Sequence, residues 1–118
     1  LFCNKQPSKV NCSSVNTKCQ GLSFKQGDSS GVSNNITVNR GANIFYGGYT
    51  SYASLFNIVM HVQTSTGTKV TGDLPVYYRG GENSATYKAA ANGNYRISAR
   101  CGDSSSQKRC AGYVSLNH

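Results

Sequence analysis

The chain of 118 residues contains four acidic residues, two prolines, one methionine and no tryptophan. No apolar run approaches the ~18–20 residues that a membrane-spanning helix requires, so we expect a soluble protein. The basic and apolar regions of a signal peptide are also missing. Because the chain begins at Leu1 rather than at a methionine, we expect a mature, processed chain or an excised fragment.

Signatures of catalysis and of metal binding are scarce as well. The chain has no Cys-x-x-Cys motif, no tight Cys/His pairs of the kind that hold zinc, and no Gly-x-Ser-x-Gly elbow. The two histidines, His61 and His118, stand alone, and a small ribonuclease would need them near Glu82 and a phosphate-binding cation. We therefore expect no metal, no cofactor and no catalysis. A small secreted ribonuclease is the one enzymatic alternative.

Alternation of apolar and polar residues is the strongest positive signal, and it is typical of β-strands. The clearest case is SLFNIVMHVQ (54–63), where every second residue from Phe56 to Val62 is apolar and a central strand is predicted. Pro75 requires an edge position or a strand start. Seven or eight short strands predict an all-β fold, a small antiparallel sandwich of the jelly-roll or immunoglobulin-like kind. The other predicted strands are 35–39, 68–71, 74–79, 84–89, 94–101 and 110–116.

The stretch RCGDSSSQKRC contains two cysteines, Cys101 and Cys110. If the flanking strands pair with these cysteines opposite each other, Ile97 faces Val114 and the whole cysteine face is small or apolar. A shift by one residue would place arginines opposite the apolar set. This register predicts a cross-strand disulfide that closes a ten-residue loop, and hence a secreted, extracellular protein.

The N-terminal residues 1–21 differ from the rest because they contain three of the five cysteines and show no alternation. We expect an extended segment stapled by disulfides, followed by a single sandwich domain over 22–118. Cys12–Cys19 is the simplest local closure, and it leaves Cys3 as a free thiol or as a link to a second chain. Pairing of Cys3 with either of the other two cysteines remains open.

Positive charge dominates, with 12 Lys and Arg against 4 Asp and Glu, a net charge of +8. Arg96 and Arg100 point to the same side of one predicted strand, and Lys108 and Arg109 lie in the adjoining hairpin. These four cations predict binding of an anionic partner, such as lipid headgroups, acidic polysaccharide or cell wall. The alternative is a solvated sheet face. Nucleic acid is not expected as a partner.

Tyrosine is also abundant, with eight residues in the chain. The stretch FYGGYTSY places Tyr46, Tyr49 and Tyr52 in a predicted Gly/Ser-rich loop, where exposed rings can stack on sugars. Tyrosine is also an ordinary strand residue. That interpretation is preferred for the other five, at positions 77, 78, 87, 95 and 113.

Together these features favour a secreted, cationic, disulfide-stapled binding protein. A toxin, an antimicrobial protein or a host-directed effector acting at an anionic surface is the first hypothesis. The alternatives are an extracellular filament or coat subunit cross-linked through N-terminal cysteines, a carbohydrate-binding module that uses the tyrosines, and the ribonuclease.

Overall fold

The alternating residues form nine β-strands in the computed structural model, which describes residues 18–118. No helix occurs in this range, and so none that could cross a membrane. The strands are β1 (Cys19–Phe24), β2 (Ser30–Val32), β3 (Ile36–Val38), β4 (Asn43–Thr50), β5 (Ile58–Thr64), β6 (Leu74–Val76), β7 (Glu82–Lys88), β8 (Gly93–Cys101) and β9 (Gly112–Asn117).

The strands build two antiparallel sheets. Sheet A has the order β1-β9-β4-β7. Sheet B has the order β2-β8-β5-β6, and β3 continues along β8 beyond β2. This arrangement is that of a jelly roll, one of the two sandwich types that the sequence predicts. The edge strand β6 contains Pro75, as expected for a residue that cannot donate a ladder hydrogen bond.

The core lies between the inner faces of the two sheets. Ile44 and Leu116 of sheet A and Met60, Val62 and Ile97 of sheet B are all 0% exposed. Each lies at an alternate position along its strand, so the period of two in the sequence corresponds to burial between the sheets.

The predicted disulfide between Cys101 and Cys110 is formed, with 5.7 Å between the Cα atoms. The predicted cross-strand register is wrong, because β8 and β9 lie in different sheets. Ile97 pairs with Val62 of β5, while Val114 pairs within sheet A. Both strands turn their apolar faces into one core, and alternation cannot distinguish a facing strand from a paired one. The disulfide therefore connects β8 of sheet B with the segment that leads into β9 of sheet A.

The prediction that FYGGYTSY forms a loop is also wrong, because most of this stretch belongs to β4. At the two glycines of this stretch, the backbones of the neighbouring strands lie very close to β4. A Cβ atom at Gly47 would collide with the carbonyl of Asn83 in β7, and one at Gly48 with the carbonyl of Tyr113 in β9. The predicted strand 68–71 is absent, and a single bridge between Gln63 and Lys69 occurs there instead.

The N-terminal segment meets the sandwich at β1. The predicted boundary between residues 21 and 22 falls inside this strand, which pairs with β9 from Cys19 onward. Cys19 is disulfide-bonded. The predicted pairing with Cys12 and the predicted role of Cys3 lie outside the described residues.

Candidate functional site

Four connections meet at one end of the sandwich, called the loop end: 25–29, 51–57, 77–81 and 102–111. Backbone hydrogen bonds join them to one another. The N–H of Gly27 donates to the carbonyl of Lys108 at 2.7 Å, and the N–H of Leu55 donates to that of Arg109 at 2.9 Å. Together with the disulfide at the base of 102–111, these bonds hold the four loops as one unit.

Thr50, the last residue of β4, fixes the 77–81 loop. Its Oγ1 donates to the carbonyl of Tyr77 at 2.6 Å and accepts from the N–H groups of Gly80 and Gly81, both at 3.1 Å. Arg79 has a φ of 58°, a left-handed conformation that costs a non-glycine residue about 1–2 kcal/mol. The hydrogen bonds on either side of Arg79 hold this conformation, so the loop has a defined shape.

The loop end presents three tyrosines to solvent. Tyr52 is 81% exposed, Tyr77 is 53% exposed and Tyr78 is 50% exposed. The Tyr52 ring lies against Gly80, because a Cβ atom at Gly80 would be 3.4 Å from the ring. These three residues are called the tyrosine surface.

Next to this surface is an open cleft of about 320 Å³, lined by Tyr49, Thr50, Gly80 and Glu82. The ring of Tyr49 lies 6.3 Å from that of Tyr113, with 37° between the ring planes. The cleft thus combines an aromatic wall with the carboxylate of Glu82. Its volume is at the lower end of the range for small-molecule sites.

The three tyrosines predicted to bind have different positions. Tyr46 is 6% exposed in the core, Tyr49 is on the outer face of sheet A, and only Tyr52 lies in a loop. The prediction that they share a loop is wrong because β4 extends to Thr50. The sequence favours ordinary strand packing for Tyr77 and Tyr78, but β6 ends at Val76 and both residues lie in the 77–81 loop. Adjacent residues of a strand point to opposite faces, so two consecutive tyrosines cannot both face inward. The pair in LPVYYR therefore already indicates that at least one of the two rings is exposed.

The predicted basic residues occupy two regions. Arg96 and Arg100 both lie on the outer face of sheet B, as their spacing on β8 predicts. Lys108 and Arg109 are exposed in the 102–111 loop at the loop end.

A polar network that the sequence did not predict covers the same outer face of sheet B. Arg96 Nε donates to Gln63 Oε1 at 2.7 Å, and the Gln63 amide nitrogen lies 3.1 Å from His61 Nε2. His61 Nδ1 is 3.6 Å from a carboxylate oxygen of Asp73. Asp73 belongs to the 65–73 connection, which packs back against β5. This outer face is called the basic face and is defined by His61, Gln63, Lys69, Asp73, Arg96 and Arg100.

Asp73 is the acidic centre of the basic face. It accepts a hydrogen bond from Lys69 Nζ at 2.8 Å, and Arg100 Nη1 lies 3.7 Å from its second oxygen. The hydrogen bond from Lys69 and the nearby positive charges lower the pKa of Asp73. The pKa of His61 is lowered mainly by burial and also by the charges of Lys69 and Arg100, while Asp73 acts in the opposite direction.

The structure does not bring together His61 and Glu82, which a ribonuclease was expected to combine. His61 is on the outer face of sheet B, whereas Glu82 lies in β7 of sheet A and lines the cleft. Within residues 18–118, no group of three His, Cys, Asp or Glu residues could hold a metal ion.

Neither a protein-family model nor a curated protein matches the chain. Among solved structures, BiXyn10A CBM1, a carbohydrate-binding module in its apo form, is similar, with a TM-score of 0.45 and 10% sequence identity. The alignment covers 96% of this chain and 94% of the other. A similarity at this level is too low to assign a function.

Proposed function

We propose that this protein is a secreted, non-catalytic glycan-binding module that holds sugar at the tyrosine surface and the adjoining cleft. The observation that carries this proposal is the exposure of three tyrosines on loops of defined shape. Large aromatic rings are normally at least partly buried in a monomeric protein, and Tyr52 is 81% exposed. Several exposed aromatic rings at one end of a molecule are a common mark of a binding site.

The chemistry of the loop end suits a sugar. A pyranose has an apolar face of C–H groups and a rim of hydroxyl groups, so it needs both an aromatic surface and polar partners. The tyrosine rings can supply the surface, while the carboxylate of Glu82, which lines the cleft, can supply a polar partner. Because Thr50 already holds the 77–81 loop, little conformational entropy should be lost on binding.

A second candidate is the cationic toxin, antimicrobial protein or effector that acts at an anionic surface. It is supported by the net charge of +8 and by the exposure of Arg79, Lys108 and Arg109 at the same end as Tyr52. Tyrosine beside cationic side chains is also suited to the headgroup region of an anionic membrane. The two candidates differ in whether sugar alone is sufficient for binding.

The test is a screen of neutral and acidic glycans, run beside vesicles of phosphatidylcholine with and without phosphatidylglycerol. We expect glycan binding, and we expect Tyr52→Ala to weaken it about tenfold, equivalent to ~1.4 kcal/mol. Because Tyr52 is so exposed, its replacement should leave the thermal midpoint unchanged. Val32→Ala is the control, since Val32 is 48% exposed and lies outside the loop end.

Two results would contradict the proposal. A double variant Tyr52→Ala/Tyr78→Ala that folds and binds glycans as well as the parent would remove the tyrosine surface from the site. Binding to phosphatidylglycerol vesicles without any glycan binding would favour the second candidate.

A further inference from the structure

We infer that the basic face of sheet B is a second binding surface, separate from the tyrosine surface, and that it takes a linear acidic polysaccharide. Lys69, Arg96 and Arg100 provide three positive charges there, and Asp73 is the one carboxylate in their hydrogen-bonded network. With His61 neutral, the face has an excess of two positive charges. The site does not depend on sugar binding at the loop end.

Each of the two arginines is anchored through its Nε atom. Arg96 is anchored through Nε to Gln63 Oε1, and Arg100 is anchored through Nε to the carbonyl of Gly102 at 3.2 Å. Within residues 18–118, the terminal nitrogens of Arg96 have no acceptor, and Arg100 has only the contact with Asp73 at 3.7 Å. A guanidinium fixed in this way can offer its terminal fork to a carboxylate or sulfate, which is the strongest geometry for such a pair.

The spacing of the cations favours a polymer over a single small anion. Arg96 and Arg100 are four residues apart on β8, which corresponds to about 13 Å along a strand. A chain with repeated acidic groups can contact both residues along this length. The second row of polar residues, His61 and Gln63 on β5, lies directly beside them.

Side chains on this face also favour a polysaccharide over a nucleic acid or a membrane. The outward residues of β8 are Asn94, Arg96, Ser98 and Arg100, and none of them is aromatic. Sequence-independent binding of single-stranded nucleic acid relies on aromatic rings that stack on bases. The exposed tyrosines that could stack on bases or enter a bilayer are at the loop end instead.

The experiment measures binding of dextran sulfate, with neutral dextran as the reference polymer. The variant is Arg96→Gln/Arg100→Gln, and the control is Arg40→Gln/Lys88→Gln. Both remove two positive charges, and Arg40 and Lys88 are exposed residues outside the basic face. We expect the first pair to weaken binding at ~0.15 M salt at least tenfold more than the control. The slope of log K against log salt should become shallower by about 2.

Equal losses in the two double variants would overturn the inference, because net charge and not this face would then govern binding. Tighter binding of an oligonucleotide or of phosphatidylglycerol vesicles than of dextran sulfate would overturn the choice of partner. Failure here is distinguishable from failure of the proposed function. Tyr52→Ala should leave dextran sulfate binding intact, and Arg96→Gln/Arg100→Gln should leave binding of a neutral glycan intact.

Discussion

The tyrosine surface and the basic face are positioned by different means. The tyrosine surface is carried by loops, and its shape depends on hydrogen bonds to backbone groups and on a disulfide. The basic face is carried by strands, and its shape depends mainly on bonds between side chains across β5 and β8. One of its anchors, from Arg100 Nε to the carbonyl of Gly102, reaches the 102–111 loop. Loss of the loop constraints should therefore weaken the tyrosine surface more than the basic face.

The largest expected effect follows removal of the disulfide with Cys101→Ala/Cys110→Ala. A bond that closes a loop of about ten residues contributes ~2–3 kcal/mol in the chain-entropy model. Both cysteines are 1% exposed, so the lost packing adds to the destabilisation. Urea denaturation should show the loss, and glycan binding should weaken more than dextran sulfate binding. Mutation is preferable to a reductant, because Cys19 is also disulfide-bonded.

Equal weakening of both binding activities in this variant would show that the disulfide supports the whole sandwich and not the loop end in particular. Unchanged stability would contradict the entropic contribution.

A smaller effect is expected for Thr50→Val, which keeps the shape of the side chain and removes its hydroxyl. The N–H of Gly81 and the carbonyl of Tyr77 both lose this partner. A typical intramolecular hydrogen bond contributes about 0.5–1.5 kcal/mol to stability. We expect lower stability in urea and weaker glycan binding, with dextran sulfate binding preserved. Thr86→Val on the exposed face of β7 is the control. A glycan affinity equal to that of the parent would show that Thr50 does not shape the site.

The fold class could be predicted from the sequence, because the alternation of apolar and polar residues along a strand follows directly from burial of one face. In β5 and β8 every second residue lies in the core, and this pattern, together with the weak helical periodicity of the chain, favours two packed layers of strands. Which strands pair with each other could not be predicted, because alternation reports only burial. Ile97 and Val114 are equally apolar whether they face each other within one sheet or across the core. The disulfide was predictable, while the sheets that it joins were not.

The two surfaces were predictable to different degrees. Arg96 and Arg100 are two periods apart on one strand, so their common face follows from the sequence. Asp73 was not associated with them, because the 65–73 connection must first fold back on β5. The tyrosine surface depends on where β6 ends, and LPVYYR does not show that the strand ends after Val76.

The smallest expected effect concerns pH and the basic face. Burial, Lys69 and Arg100 lower the pKa of His61 below its ordinary 6.5, while Asp73 opposes them. The unfolded chain therefore binds a proton at a higher pH than the folded protein does. The stability associated with His61 is complete above pH 6.5 and decreases as the pH falls through the lowered pKa. In urea titrations between pH 7.5 and 5, His61→Gln should show a smaller decrease in stability than the parent.

Substitutions of the two neighbours test the cause of this shift in opposite directions. Asp73→Asn removes the charge that raises the pKa of His61, so the pKa should fall further. Lys69→Gln removes a charge that lowers it, so the pKa should rise. Both changes can be followed by NMR titration of the imidazole signals. If the pKa moves in the same direction in both variants, direct charge interactions do not control it, and rearrangement of the network does. If the opposite shifts are observed, a polyanion bound to the basic face should raise the pKa of His61 as well, because it places negative charge beside the same imidazole.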